Sequence, residues 1–501
     1  MNDNCDGDET DDCAGKCEHI QCIIDTLPSS LSDTLPSSLS DDERVRAIDL
    51  ITRNADLFST GEFDIGITHL LTARIDTGNS PPISEPLRRH PKTHLEVIDK
   101  AVEDLERAGL FEQSCSPWSS NLVIVSKADS PTPRVTVDLR RLNEVTCKEA
   151  FPMPLQSEAL DFLSQSKYLS VFDVSHGFFN VPLHPDDHDK TSFLTRKGQY
   201  HFRVLPQGAR NSPAICSRLM SLTLRGLNYL CCLAFVDNCV VIGRTFNEHL
   251  LNLELVFNRF RYARLKLKPK KCKLFQSELS YLGRIVSGDQ VKIDETKVAC
   301  VKYWPFPRNI AELRSWLGFT SYYSTHIKNY SQIAEPLNEM LRKNVPVTPN
   351  KDRLRAFETL KNILTSPPAL ALFRDEGEIV IDVDASNFAL GAVCSQWQDG
   401  RLRVIKYASR CLSQAERNLC ASRREMAGLI FALKHFRRYL LGRHFVCRVD
   451  NMALSYCQKQ TDPTAQICRY LDLADYKFSL EFRSGRSNGN ADGLSRLRPC
   501  E

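Results

Sequence analysis

The sequence predicts a multidomain mixed α/β (α+β) protein, on three observations. The chain has 501 residues, enough for roughly three domains that each bury a core. Strand-like runs occur in two separate groups, around residues 121–286 and 378–450. Between them, roughly Glu295–Leu364, lies a region with helical patterning. The strands do not alternate regularly with helices, so a Rossmann-type sheet is not the expectation.

The N-terminus reads as an acidic tail over residues 1–41. Thr26–Asp33 (TLPSSLSD) is repeated letter for letter at Thr34–Asp41, a low-complexity duplication with little to pack. Cys5, Cys13, Cys17, His19 and Cys22 match no zinc-finger or zinc-knuckle spacing. Residues 42–62 read as a helix with Ser40 or Asp41 as its cap, and a linker runs on to residue 92. That linker, extended and Pro-rich from Thr68 to Pro91, contains Asp76-Thr77-Gly78, the tripeptide of aspartic proteases. Pro81-Pro82 follows almost at once and leaves no room for the small β-domain such a protease needs.

A helix is expected from about Thr93 to Ala108, then a hairpin from Asn121–Ser126 and Arg134–Leu139. Tyr168–Asp173, the two runs flanking Asp237 and Leu279–Val286 complete the first group. In the second group, Glu378–Asp384, Ala389–Gln396, Leu402–Ala408 and His444–Asp450 read as strands. A helix is expected from Gln414 to Leu441.

Composition excludes some classes. No apolar run reaches about 18 residues, so neither membrane spanning nor export is expected. The nineteen cysteines are scattered through a chain without a secretion signal and read as free, partly buried thiols. The net charge of +4 hides an asymmetry, because residues 1–60 hold 14 acidic and 4 basic side chains. The rest of the chain carries 61 Lys/Arg against 47 Asp/Glu. Lys266–Lys273, with five lysines, suits a surface facing a polyanion, or equally a solvated helix end.

Two sets of carboxylates stand where rigid backbone could aim them. Asp173 ends Leu169-Ser170-Val171-Phe172, and Asp237 sits at the tip of a predicted hairpin. Mg²⁺ takes hard oxygen ligands, so a pair of such aspartates is the minimum for a two-metal site. Farther on, Asp384 and Asp450 end strands. Glu425 borders the apolar stripe Met426, Leu429, Ile430, Leu433 and Phe436, and Asp492 lies near the C-terminus. Four carboxylates converging on one sheet rim would repel unless cations neutralise them.

The ordered strings around these residues carry a resemblance. They are SPWSSNLVIVSK (Ser116–Lys127), RVTVDLRRLN (Arg134–Asn143), SVFDVSHGFFNVPL (Ser170–Leu183), FRVLPQGARNSPAICSRLM (Phe202–Met220), AFVDNCVVIG (Ala234–Gly243), LKPKKCKLF (Leu267–Phe275) and YLGRIVS (Tyr281–Ser287). In that order and spacing they resemble the reverse transcriptases of gypsy-type LTR retrotransposons. VDASNFALGAV, SRREMAGLIFALKHFRRYLLG, VDNMAL and SGRSNGNADGLSR, from Val383 to Arg496, resemble retroelement ribonuclease H.

The resemblance implies a right-hand polymerase with fingers and palm at 93–287 and a thumb and connection region at 288–375. A ribonuclease H-like domain would follow at 376–498. It implies RNA-directed DNA synthesis with cleavage of RNA in RNA/DNA hybrids, for retrotransposon replication in an intracellular particle, cytoplasmic or nuclear. Asp173 and Asp237 would hold Mg²⁺ (or Mn²⁺) in the polymerase; Asp384, Glu425, Asp450 and Asp492 would do so in the nuclease. Lys127, Arg134 and Gln207 would contact the incoming deoxynucleoside triphosphate, and Phe178 would exclude a ribose 2′-hydroxyl. The partners implied are an RNA template, a DNA primer and the RNA/DNA hybrid.

One departure bears on activity. The family's Tyr-x-Asp-Asp reads Phe235-Val236-Asp237-Asn238 here, and the amide at 238 is a poorer Mg²⁺ ligand than a carboxylate. Three readings therefore stay open: a bifunctional enzyme, a ribonuclease H with an impaired polymerase, and a nucleic-acid-binding relic. The chain ends where a Pol polyprotein would continue, and gag, a complete protease and integrase are not expected in it.

Overall fold

The structure is a computed structural model that describes residues 35–127, 130–164, 166–366, 368–449 and 475–482. It divides into two compact units, Met1–Ser277 and Glu278–Glu501.

In the first unit, helix α1 (Asp41–Arg53) starts at Ser40, which caps it reciprocally with Glu43. The helix buries Ala47, Ile48, Leu50 and Ile51. It ends at Arg53, well short of residue 62, because Asn54 turns its amide back onto the Leu50 carbonyl. Leu35 and Leu39, expected in the tail, are buried in the core of this unit, so packed chain already begins ahead of α1. Asp76-Thr77-Gly78 forms a local turn in which the Gly78 N–H donates to the Asp76 carboxylate at 2.8 Å.

Helix α2 (Lys92–Arg107) leads into a five-stranded sheet of order β1-β6-β5-β2-β3. Its strands are β1 (Phe111–Gln113), β2 (Ser120–Lys127), β3 (Ser130–Asp138), β5 (Phe193–Thr195) and β6 (Gly198–Phe202). β2 and β3 form the expected hairpin, and the short helix α3 (Pro185–His188) precedes β5.

The second sheet runs β7-β8-β4-β9, with β4 (Tyr168–Asp173) flanked by β8 (Asn238–Gly243) and β9 (Lys273–Gln276), and β7 (Cys232–Phe235) outermost. Helix α4 (Phe246–Tyr262) covers it with Leu253, Val256, Phe257 and Phe260. The Phe172 and Phe257 rings meet edge to face at 5.2 Å. Beneath them Ser170 and His249, both fully buried, lie 2.7 Å apart, and the Ser170 oxygen also accepts from the Phe275 N–H.

The second unit holds a small antiparallel sheet of β10 (Glu278–Tyr281), β11 (Arg284–Ser287), β12 (Gln290–Ile293) and β13 (Leu370–Ala371). The helical region packs Trp316, Leu313, Leu337, Phe357 and Leu360 into one core. A further sheet of order β16-β15-β14-β17-β18 follows. Strands β14 (Ile379–Ala385), β15 (Ala389–Gln398) and β16 (Arg401–Cys411) are antiparallel, while β17 (His444–Val449) and β18 (Lys477–Phe482) run parallel to β14. The single helix expected over Gln414–Leu441 is instead three: Gln414–Arg417, α5 (Ala421–His435) and Arg437–Leu440. A capping box at Ser413 and Glu416 closes the first turn on itself, and extended backbone at Cys420 restarts the helix.

None of the described helices is long and apolar enough to cross a membrane. The cysteines among the described residues are free thiols, several of them buried.

Candidate active site

The first constellation is built by the β4–β8 register. Asp173, the last residue of β4, is the direct cross-strand partner of Asn238, the first residue of β8. Phe235 also pairs with Asn238, so Val236 and Asp237 form a two-residue turn. Val236 sits at φ +57°, a strained value for a β-branched residue and one that persists only where its surroundings impose it. The Val174 N–H donates to the Asp237 carbonyl at 3.0 Å, which ties the two carboxylate-bearing segments together directly.

The electrostatics follow from that proximity. Burial, then the Asp173 charge, pushes the Asp237 carboxyl above its ordinary range, and Lys271 offsets part of this. The Lys271 ammonium donates to Asp173 Oδ2 at 2.7 Å. Two crowded acids with one ammonium beside them retain excess negative charge, so these residues fit a divalent cation. Gly177 leaves the turn its room, because a Cβ there would stand 3.0 Å from the Asp237 Cβ.

The other residues singled out lie on further elements of this unit. Phe178 is half-buried in the segment that follows β4. His176, two residues before it, sits at φ +47° between the Phe63 and Phe179 rings. Burial lowers its proton affinity, and the charges of Lys268 and Arg134 lower it further. Arg134, exposed on β3, thus contributes a small charge effect at His176. Lys127 ends β2 opposite Ser130, and its backbone alone is described. Gln207 lines a small apolar cavity with Thr136, Val137 and Phe179. Gly208 beside it adopts φ +90° and accepts from Asn143.

The second constellation lies in the other unit. Asp384 is the penultimate residue of β14 and Glu425 lies in the second turn of α5. Gly428, one turn beyond Glu425, brings α5 against the strand. A Cβ there would stand 3.0 Å from Val383 Cγ1 and 3.7 Å from the Ala385 Cβ. The helix face bearing Glu425 thus meets the strand end bearing Asp384. β17, parallel to β14, ends at Val449; Asp450 and Asp492 lie outside the described residues.

Two cations escaped the sequence reading. Lys271 belongs to the lysine run read as a surface, but the turn Pro269–Lys271 aims it at Asp173. Lys328 lies far from Asp384 in sequence, yet it feels the Asp384 and Asp382 charges, which counter the effect of its burial. The first had a signal in the run itself; the second had none.

Comparison with known proteins gives the family and the fold. Residues 125–286 match a family model described as reverse transcriptase (RNA-dependent DNA polymerase). Residues 350–447 match an RNase H-like domain found in reverse transcriptase. The chain is 34% identical over 440 residues to the retrovirus-related Pol polyprotein from transposon 297 of Drosophila melanogaster, covering 86% of this chain and 41% of that protein. It is 30% identical over 469 residues to the Pol polyprotein from transposon gypsy of the same organism, covering 89% of this chain and 45% of that one. The chain thus spans less than half the length of these relatives. In fold it is similar to the foamy viral protease-reverse transcriptase in complex with dsDNA, with a TM-score of 0.81 and 20% identity over 93% of this chain and 97% of that one. The same viral protein in complex with an RNA/DNA hybrid gives a TM-score of 0.75 at 20% identity, over 93% of this chain and 63% of that one.

Proposed function

The chain belongs to the reverse transcriptase and ribonuclease H region of gypsy-type retrovirus-related Pol polyproteins, and from that premise we propose that it copies RNA into DNA and cuts the RNA strand of the resulting hybrid. The observation that carries the polymerase reading is the pairing of Asp173 with Asn238, which brings Asp173 and Asp237 to one sheet edge with Lys271 beside them. The substrates are an RNA template, a DNA primer and deoxynucleoside triphosphates, in an intracellular retroelement particle.

Asp173 and Asp237 would hold Mg²⁺, or Mn²⁺ in its place, and Asp384 and Glu425 would do so with Asp450 and Asp492 in the nuclease. Bound there, the ions supply activation of a hydroxyl or water and stabilisation of the leaving oxygen. The chain's own residues do the rest. Lys127 and Arg134 on the β2–β3 hairpin offset the triphosphate charge, which suits the small charge effect of Arg134 at His176. Gln207 holds the nucleotide from its turn, and the half-buried Phe178 ring fills the space a ribose 2′-hydroxyl needs, so deoxynucleotides are selected.

Asn238 favours a second reading, a nuclease on a silent polymerase, since an amide neither offsets the metal charge nor binds Mg²⁺ as well as a carboxylate. Primer extension with Mg²⁺ by the wild type, Asp237→Ala and Asn238→Asp separates the two. Extension by the wild type that disappears in Asp237→Ala supports the bifunctional reading. Extension that appears only in Asn238→Asp assigns the loss to the amide. If neither wild type nor Asn238→Asp extends a primer, the polymerase reading fails.

A further inference from the structure

A second cluster in the first unit takes no part in the proposed polymerase chemistry. Glu112 on β1 and His201 on β6 are direct cross-strand partners, and His188 ends α3. One donor atom from each of the three lies within 4.8 Å of the others. Glu112 Oε1 is 2.8 Å from His201 Nε2 and 3.6 Å from His188 Nδ1. The two histidine side chains are 13% and 15% exposed, while Glu112 is 46% exposed and opens the cluster to solvent.

The far nitrogens of both rings are also engaged. His188 Nε2 lies 3.0 Å from the Leu183 carbonyl, and His201 Nδ1 lies 3.1 Å from the Ser114 hydroxyl and 3.6 Å from an Asp189 carboxylate oxygen. A carbonyl only accepts, so His188 Nε2 carries a proton. In a neutral ring this leaves a lone pair on Nδ1, facing a carboxylate oxygen that also has only lone pairs to offer. The two repel unless a proton on Nδ1 or a metal cation comes between them. Rings that ligate metals through one nitrogen characteristically donate the other to a carbonyl, carboxylate or water, which fixes the tautomer. Arg203, 3.7 Å from Glu112 Oε2, steadies the carboxylate from the outside.

We propose that Glu112, His188 and His201 bind one divalent transition-metal ion of the zinc class, cross-tying β1, β6 and α3 and keeping a fourth position open to solvent. Donors around a tetrahedral zinc with bonds of about 2.0–2.1 Å stand roughly 3.3 Å apart. Two of the three separations, 2.8 and 3.6 Å, bracket that value and the third is no more than 4.8 Å, so loading requires the histidine rings to close on the ion by about 1 Å or less. Two imidazoles with one carboxylate suit Zn²⁺ or Co²⁺ and not Mg²⁺, which prefers oxygen donors. The site is therefore separate in chemistry from the paired aspartates, and it stands whether or not the polymerase is active.

The test uses the full chain, stripped with chelator and titrated with Co²⁺ and Zn²⁺ at neutral pH. Thiolate–cobalt bonds give an intense near-ultraviolet charge-transfer band, whereas imidazole and carboxylate ligands give only weak visible bands, so the cysteines are distinguishable. The wild type is expected to take up one ion with visible bands alone. Zn²⁺ at about 100 times its Kd should raise the melting temperature by roughly 3–8 °C. His201→Gln and Glu112→Gln, shown folded by circular dichroism, should bind at least ~10–100-fold more weakly and lose the thermal shift. If either fails to fold, His188→Gln decides in its place. Absence of uptake at micromolar metal, a thiolate spectrum only, or equal uptake and equal thermal shift in the variants would overturn the proposal.

Discussion

Acid should loosen the sheet that carries Asp173, through His249. This ring is fully buried under β4, and burial pushes its pKa down to about 4. In the unfolded chain a histidine titrates near 6.5. The folded state therefore resists protonation: the stability contributed by neutral His249 is fully present above about pH 6.5 and is lost as pH falls towards 4. Between pH 7 and pH 5 the two values give a loss of about 2 kcal/mol from this ring alone. The structure supplies the reason. Ser170 Oγ already accepts the Phe275 N–H, so its own hydrogen is free to serve the bare Nε2 of His249; a protonated ring would face that hydroxyl with a second donor. The assay is urea unfolding at both pH values, read by pulse proteolysis of first-unit fragments, in wild type and His249→Gln. Other titrating groups cancel in the comparison, and the wild type should lose about 2 kcal/mol more than the variant. Equal losses within about 0.5 kcal/mol would refute the argument.

Further outcomes follow from single contacts. Gly177→Ala places a methyl 3.0 Å from the Asp237 Cβ and should cut primer extension roughly 10- to 100-fold with little change in melting temperature; wild-type extension would show the turn has slack. Lys271→Met removes the cation that restrains the Asp237 proton affinity, so the acid limb of the extension pH profile should move to higher pH, and an unmoved limb would contradict the role given to Lys271. Gln396 is fully buried, donates to the Arg374 and Glu376 carbonyls and accepts from the Arg374 N–H. Gln396→Leu strands these groups and should cost about 3 kcal/mol in urea unfolding of the second unit, whereas a loss below about 1 kcal/mol would mean the segment re-pairs.

Much of this architecture is legible in the sequence because the strands are short apolar runs ended by the residues that matter. Asp173 and Asp384 each fall at the boundary where an alternating or buried run stops, and hairpin chemistry locates Asp237. What sequence could not supply is contact between distant segments. The Lys328–Asp384 proximity depends on how the helical region packs within the second unit, and the Glu112–His188–His201 cluster depends on strand register and a four-residue helix. The tail boundary was misplaced for a different reason. Leu35 and Leu39 lie in or beside a low-complexity repeat whose composition signals no core, yet both are buried ahead of α1. The break at residues 418–420 was likewise invisible to helical periodicity, because a capping box acts through local hydrogen bonds while the apolar stripe continues.

The most direct test of the bifunctional account is a dual-label assay with Mg²⁺ on a labelled RNA template annealed to a differently labelled DNA primer. Wild type, Asp173→Ala and Asp384→Ala would be compared on the same substrate. The account predicts primer extension and RNA cleavage by the wild type, extension alone lost in Asp173→Ala, and cleavage alone lost in Asp384→Ala. Wild-type protein that binds the hybrid but neither extends nor cuts it, or activities that survive both substitutions, would contradict it.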